Sequence, residues 1–212
     1  MPSAQTSALP ENDAIRPLGE SAEAPCTRAR FRTASGESLG EKPAHMTHLL
    51  GTALVSKAHP RIVLRGKSDS LQAQMLLARL AALDAGDERT SEALGELIAY
   101  VRALMAAEVT DSAPVDLTML GMDADRIHEA SHDPKRWIGV GHLLPDVRMG
   151  AVALHVNALR CAAREAELAC VAAYEGDDGS CARPDMVQGY NLLSGALYVL
   201  ELLAAARFER LG

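Results

Sequence analysis

The sequence predicts an all-α fold, a four- to five-helix bundle preceded by a flexible leader over residues 1–44. Three observations predict it. Ala and Leu, two of the strongest helix formers, dominate the composition. Phe, Trp and Tyr make up only 3% of the chain, so few residues suit strands. Apolar residues also recur at helical spacing along several long segments. At 212 residues, the chain is long enough to bury one core without disulfides or a structural metal.

The elements follow in order. The leader carries Pro2, Pro10, Pro17, Pro25 and Pro43 among Ser, Glu, Ala and Gly, with no apolar period. Inside it Arg28, Arg30 and Arg32 alternate around Phe31, a pattern open to a short strand-like arm or a solvated tail. The bundle domain takes residues 45–212. Its first part, Lys57 to Lys67, holds four cations and no acid, and its Pro and Gly predict a loop. Ser68 or Asp69 then caps a helix through Ala82, with Leu71, Met75, Leu76 and Leu80 as its apolar positions. A second helix fits Glu88 to Ala107, and a short one fits Ala124 to Ser131, stopped near Pro134. The longest begins near Pro145 and runs to about Tyr174, roughly 45 Å at 1.5 Å per residue. The last fits Pro184 to about Arg207, striped by Leu193, Leu197, Leu200 and Leu203.

Composition narrows the function classes. A formal charge of -7 argues against nucleic-acid binding, which needs a broad cationic surface. Cys26, Cys161, Cys170 and Cys181 form no CxxC pair, as expected of reduced thiols in a cytoplasmic protein. The N-terminus shows no secretory signal. Arg148, His155, Asn157 and Arg160 interrupt one apolar stretch and Ser194 and Glu201 the other, so no membrane span is expected.

One helix face is too polar for a core. Arg160, Arg164 and Glu167 share a face of the long helix, with Asn157 nearby. On the last helix Asn191, Ser194 and Tyr198 form a stripe beside Gly195. Periodicity leaves two readings open, a solvated surface or the wall of a polar cleft. Burying unpaired guanidinium groups would cost several kcal/mol.

The segments KAHPRIVLRGKSDSLQAQ, HLLP, RCAAREAE and RPDMVQGYNLLSGALYVL occur in an order and spacing that resembles the cobalamin adenosyltransferases. The resemblance covers roughly Lys42 to Ala206. It is closest to the ethanolamine-utilisation type, and more distant from the propanediol-utilisation type, whose Arg-x-x-x-Arg-x-x-Glu and Asn-x-x-Ser runs are matched by Arg160, Arg164, Glu167, Asn191 and Ser194. The activity implied is transfer of the 5'-deoxyadenosyl group of ATP to the cobalt of reduced cobalamin, giving adenosylcobalamin and triphosphate. Cobalt is the nucleophile, so the protein supplies orientation and charge. Magnesium is expected to bind chiefly through phosphate oxygens.

Carried over residue by residue, the resemblance makes Lys57, Arg61, Arg65 and Lys67 candidates for holding triphosphate. Arg160 and Arg164 are bidentate donors to it, with Glu167, Asn191 and Ser194 orienting them or the nucleotide. Asp69 matches an acid that pairs with an arginine across a subunit boundary, so it is expected either to pair with Arg160 or Arg164 or to serve as an N-cap. His142 stands where the propanediol type has a Phe beside the corrin, and is read as a corrin neighbour or an ordinary loop histidine. A homo-oligomer is implied, trimer before dimer. So are a reductase and a cobalamin-dependent enzyme as partners, and a microcompartment as one location. The Gly- and Thr-rich nucleotide loop of the propanediol type is missing from residues 1–56. The Cys-rich metal motif of the ethanolamine type is missing too, so no structural metal is expected. These departures keep open a catalytically weak cobalamin-binding or delivery protein of the same fold, or a plain helical interaction module.

A competing motif is His128-Glu129-Ala-Ser-His132, formally the zincin pattern of two histidines one turn apart. Pro134 follows closely and no third ligand has a familiar spacing, so a polar helix end packed on the Trp137 loop is the preferred reading. His45 and His48 could join such a site.

Overall fold

A computed structural model of the chain describes residues 31–211, with side chains through Arg207. In chain order, β1 (Phe31–Thr33), β2 (Ser38–Leu39), β3 (Met46–Leu50) and β4 (Ala53–Ser56) lead into α1 (Pro60–Asp84) and α2 (Glu88–Thr110). Next come the short α3 (Ala124–His132) and α4 (Pro134–Trp137), then the long α5 (Gly150–Tyr174) and α6 (Pro184–Leu211). α5 packs on both α1 and α6, α1 on α2, and α2 on α6, so the four long helices close a bundle. α3 lies along α6.

The helical prediction holds, with one addition. The four strands form a small sheet in the order β2-β1-β4-β3, with β1 and β4 parallel and the other pairs antiparallel. β4 drives Leu54 and Val55 inward, where they are 0% and 5% exposed. Gly51, at φ 54°, turns the chain from β3 into β4. Strands of two to five residues offer too few alternations to stand out as a period. Phe31 and Arg32 therefore belong to a strand, and residues 31–44 of the expected leader form sheet and turns. The remainder of the expected leader, with Arg28, Arg30 and Cys26, lies outside the described residues.

The start of α1 corrects the predicted loop at Lys57–Lys67. His59 caps the helix, its Nδ1 accepting from the Arg61 amide at 3.2 Å, and Pro60 occupies the first helical position. Proline is favoured there because the missing N–H has no helical partner. Ser68 and Asp69 are thus helix interior, not caps. The buried stripe is Leu64, Ser68, Leu71, Met75, Ala78 and Ala82, and Leu76 and Leu80 lie outside it, 46% and 55% exposed. Ser68 is tolerated inside because its hydroxyl donates to the Leu64 carbonyl at 3.0 Å and meets the Tyr190 hydroxyl at 2.7 Å.

α5 is shorter than predicted. Gly150, at φ 81°, separates it from a 3-10 turn over Val147–Met149 capped by Asp146. The helix itself has 25 residues, about 37 Å. Its inner face is mostly small, with Ala153, Ala163 and Ala166 beside Val156, Leu159 and Cys170. Burial pushes the Cys170 thiol up to about 12, so it stays protonated, while Cys161 and Cys181 are exposed.

α6 is the core helix. By length and composition alone, Pro184–Arg207 is long and apolar enough to cross a membrane despite Ser194 and Glu201, but most of its apolar stretch is buried against its neighbours. The closest approach is at buried Gly189, where an added Cβ would lie 2.8 Å from Leu104 Cδ2 and 3.1 Å from the Tyr100 hydroxyl. The Tyr100 hydroxyl also donates to the Gly189 carbonyl at 3.3 Å. Gly189→Ala is expected to destabilise the fold by about 1–3 kcal/mol. Thermal unfolding checks this, and an unchanged Tm would mean the α2–α6 contact repacks freely.

Candidate functional site

The polar stripe lines a cleft. α5 contributes Arg160 and Arg164, α6 contributes Asn191, Leu192, Ser194, Gly195 and Tyr198, and α3 closes the third side with Ile127, His128, Ser131 and His132. Its volume is about 190 Å³. A pocket enclosing a whole cofactor occupies roughly 300–1,000 Å³. A nucleotide or corrin would therefore project beyond it.

Local structure explains the convergence. Arg160 and Arg164 sit one turn apart on α5, and Asn191, Ser194 and Tyr198 climb one face of α6, so two parallel stripes meet where the helices pack. Asn191 donates to Glu167 Oε1 at 3.1 Å, tying the stripes together, and the Ser194 hydroxyl donates to the Asn191 carbonyl at 2.9 Å. Gly195 gives way to α3. A methyl there would meet Ser131 at 3.7 Å, ordinary contact, so the position requires no glycine.

Charge in the cleft is uneven. Arg164 is exposed and has no ion-pair partner among the described residues. Arg160 is 26% exposed, with Nε 3.2 Å from Oε2 of Glu201 and its guanidinium carbon 5.5 Å from the Tyr198 ring centre. Glu201 is 1% exposed. Burial holds its carboxyl above the usual carboxylate range, opposed by a hydrogen bond from Asn157 and the charge of Arg160. Burial, with the charge of Glu201, also raises the Tyr198 phenol. The Tyr198 hydroxyl and His142 Nδ1 share a hydrogen bond of 2.6 Å, and the two rings stack 5.9 Å apart. His142 thereby stands at the cleft's edge, although the loop that carries it is exposed.

The basic run goes elsewhere. Arg61 Nε donates to Glu108 Oε1 and Arg65 Nε to Glu108 Oε2, each at 2.6 Å, and Arg61 also reaches the Glu108 carbonyl at 2.7 Å. Glu108 is 1% exposed, so these two cations neutralise a buried acid between α1 and α2. Lys67 meets Glu165 at 2.6 Å on the exposed side. Lys57 and Asp69 are exposed. None of these five lines the cleft. Within one chain Asp69 makes no ion pair with Arg160 or Arg164, and the acid beside Arg160 is Glu201.

The HEASH segment is the wall that sequence reasoning missed as part of this site. His128 and His132 rings lie 4.2 Å apart, and His132 Nδ1 is 3.0 Å from the His128 carbonyl. Glu129 faces Arg126 at 3.9 Å, and Arg126, in the first turn of α3, stacks over Trp137 at 3.8 Å, where Trp137 ends the short helix α4 and not a loop. Among the described residues no group of three His, Cys, Asp or Glu could hold a metal, and His48 of β3 lies against Phe31. Glu201 was missed as well. The available signal was a lone acid in the apolar run following Tyr198.

The family model described as cobalamin adenosyltransferase matches residues 38–204, a span that includes every residue of the cleft. The chain belongs to the cobalamin adenosyltransferase family. A relative from Salmonella typhimurium, "Corrinoid adenosyltransferase EutT", is 28% identical over 167 residues, covering 79% of this chain and 61% of the relative. The Escherichia coli K12 protein of the same name is 26% identical over 171 residues, covering 81% of this chain and 62% of its own. This family member thus spans about three-fifths of the length of these relatives. No solved structure matches it.

Proposed function

We propose that this chain is a corrinoid adenosyltransferase, moving the 5'-deoxyadenosyl group of ATP onto the cobalt of reduced cobalamin and releasing triphosphate. The observation that carries the reading is a pair of arginines, one helical turn apart, facing a cleft between α5, α6 and α3. On this reading Arg160 and Arg164 receive the triphosphate, stabilising the charge that grows as the C5'–oxygen bond breaks. Permanent charge and a planar fork suit guanidinium to that task. Asn191 and Ser194 offer hydrogen bonds to the nucleotide, and Glu167 fixes Asn191. On the same reading His142, stacked on Tyr198 at the cleft's edge, is the candidate neighbour of the corrin.

The two carboxylates beside the cleft, Glu167 and Glu201, are engaged by Asn191 and by Asn157 and Arg160. This set does not fit a protein-held magnesium ion, and no step depends on one. Lys57, Lys67 and Asp69 could contribute only at a contact between copies. The exposed Leu76, Leu77, Leu80 and Leu83 of α1 support such self-association, with a trimer the favoured assembly. A reductase supplying reduced cobalt and a cobalamin-dependent enzyme receiving the product complete the expected partners.

The test is direct. Protein, ATP, magnesium and chemically reduced cobalamin, incubated without oxygen, should yield the light-sensitive spectrum of an alkylcobalamin. Binding of both substrates without that spectrum would favour the delivery reading, and failure to bind either would leave only a helical interaction module.

A further inference from the structure

Among the described residues, Arg61 and Arg65 sit beside one buried acid and Arg160 beside another, and the two acids treat them differently. Glu108 takes three hydrogen bonds from the side chains of Arg61 and Arg65 at 2.6–3.3 Å, so those donors are committed. Glu201 lies 3.2 Å from Arg160 Nε, yet Glu201 Oε2 and Arg160 Nε are both buried without a hydrogen-bond partner. The other oxygen, Oε1, accepts from Asn157 Nδ2 at 3.1 Å, which anchors the carboxylate. Tyr198 covers the guanidinium from the side.

A buried acid is costly unless paired and hydrogen-bonded. Its neighbours on α6, Leu197, Leu200, Leu202 and Ala204, are buried and apolar, so the fold alone gives this position no reason to be charged. We propose that Glu201, anchored by Asn157, is a positioning residue for Arg160: it fixes the guanidinium at the cleft by charge, through the buried Nε edge, while leaving the terminal Nη groups uncommitted for an anionic ligand of the polyphosphate class. The inference deepens the reading of the cleft as a triphosphate site and rests on it. Preorganisation of this kind lowers the cost of ordering a long side chain when the ligand arrives.

The experiment compares the full chain with Glu201→Leu, Glu201→Gln, Arg160→Ala and the double variant Arg160→Ala/Glu201→Leu. Inorganic triphosphate is the probe, titrated calorimetrically. Glu201→Leu should weaken its binding about tenfold, the size of one coupled polar contact. Glu201→Gln, which keeps the shape and the Asn157 contact, should fall between. In the Arg160→Ala background Glu201→Leu should add nothing. Tm of Glu201→Leu is expected to fall, because Arg160 is left beside an apolar surface without its acid, so the positioning role is read from triphosphate affinity and from the cycle.

A second readout needs no ligand. If Glu201 holds the Arg160 guanidinium by charge, its Nη groups should give separate, slowly rotating NMR signals in the unmodified protein, and these should average in Glu201→Leu. Additive losses in the cycle, a fall in Tm with affinity unchanged, or an Arg160 signal indifferent to Glu201→Leu would each overturn the positioning role. If the unmodified protein neither binds triphosphate nor turns over, the triphosphate reading fails, and the NMR comparison still decides whether Glu201 holds Arg160.

Discussion

Arg164→Ala is expected to lower adenosyl transfer by about 10²–10³-fold, the loss seen when one preorganised donor is removed from developing charge. Tm should barely move. Arg164 is exposed and makes no ion pair among the described residues, so truncation strands no buried partner. Arg164→Lys should recover little, since an ammonium cannot reproduce a planar two-pronged contact. The measurement is steady-state transfer with reduced cobalamin in excess, read as kcat and KM for ATP. A fall in kcat and kcat/KM together would place the interaction in the transition state, whereas a rise in KM alone would mean uniform binding of the nucleotide. Unchanged kinetics would show that the α5 stripe is only a solvated surface.

Glu108→Ala should have the largest effect on stability. It leaves two guanidinium groups, 19% and 23% exposed, facing each other without their acid. Breaking a buried pair from one side costs about 3–5 kcal/mol. The low end, about 3 kcal/mol, suits groups that keep some water, and in a chain of this size it corresponds to a Tm lower by roughly 6–12 °C. Replacing all three by apolar residues of similar volume, Glu108→Met with Arg61→Met and Arg65→Met, should recover most of the loss, because it removes the charges together. Calorimetric unfolding checks both variants. The same series bears on the triphosphate role expected of Arg61 and Arg65. If Arg61→Ala raised KM for ATP and left Tm alone, that role would be restored to them, and a Tm decrease with KM unchanged assigns them to the fold.

Much of the site was written in local pattern. Arg160 and Arg164 one turn apart, and Asn191, Ser194 and Tyr198 along one stripe, share faces by helical geometry alone. Arg61 and Arg65 have the same i,i+4 spacing and the same residue type, and are mostly shielded beside an acid 43 to 47 positions away. Nothing in the run KAHPRIVLRGK signals Glu108, because pairing at that separation depends on how α1 and α2 pack. The HEASH segment was conspicuous for the wrong reason. Its histidines matter as the third wall of the cleft, which depends on α3 lying along α6.

By itself, then, the amino-acid order determined the helices, their polar faces and the family resemblance, since each depends on residues within a few turns of one another. Only the tertiary structure decided which cations are neutralised and which stay available. Whether a guanidinium meets a buried acid or an open cleft is set by contacts between helices distant in the chain, and the cost of leaving charge unpaired in the interior enforces the choice.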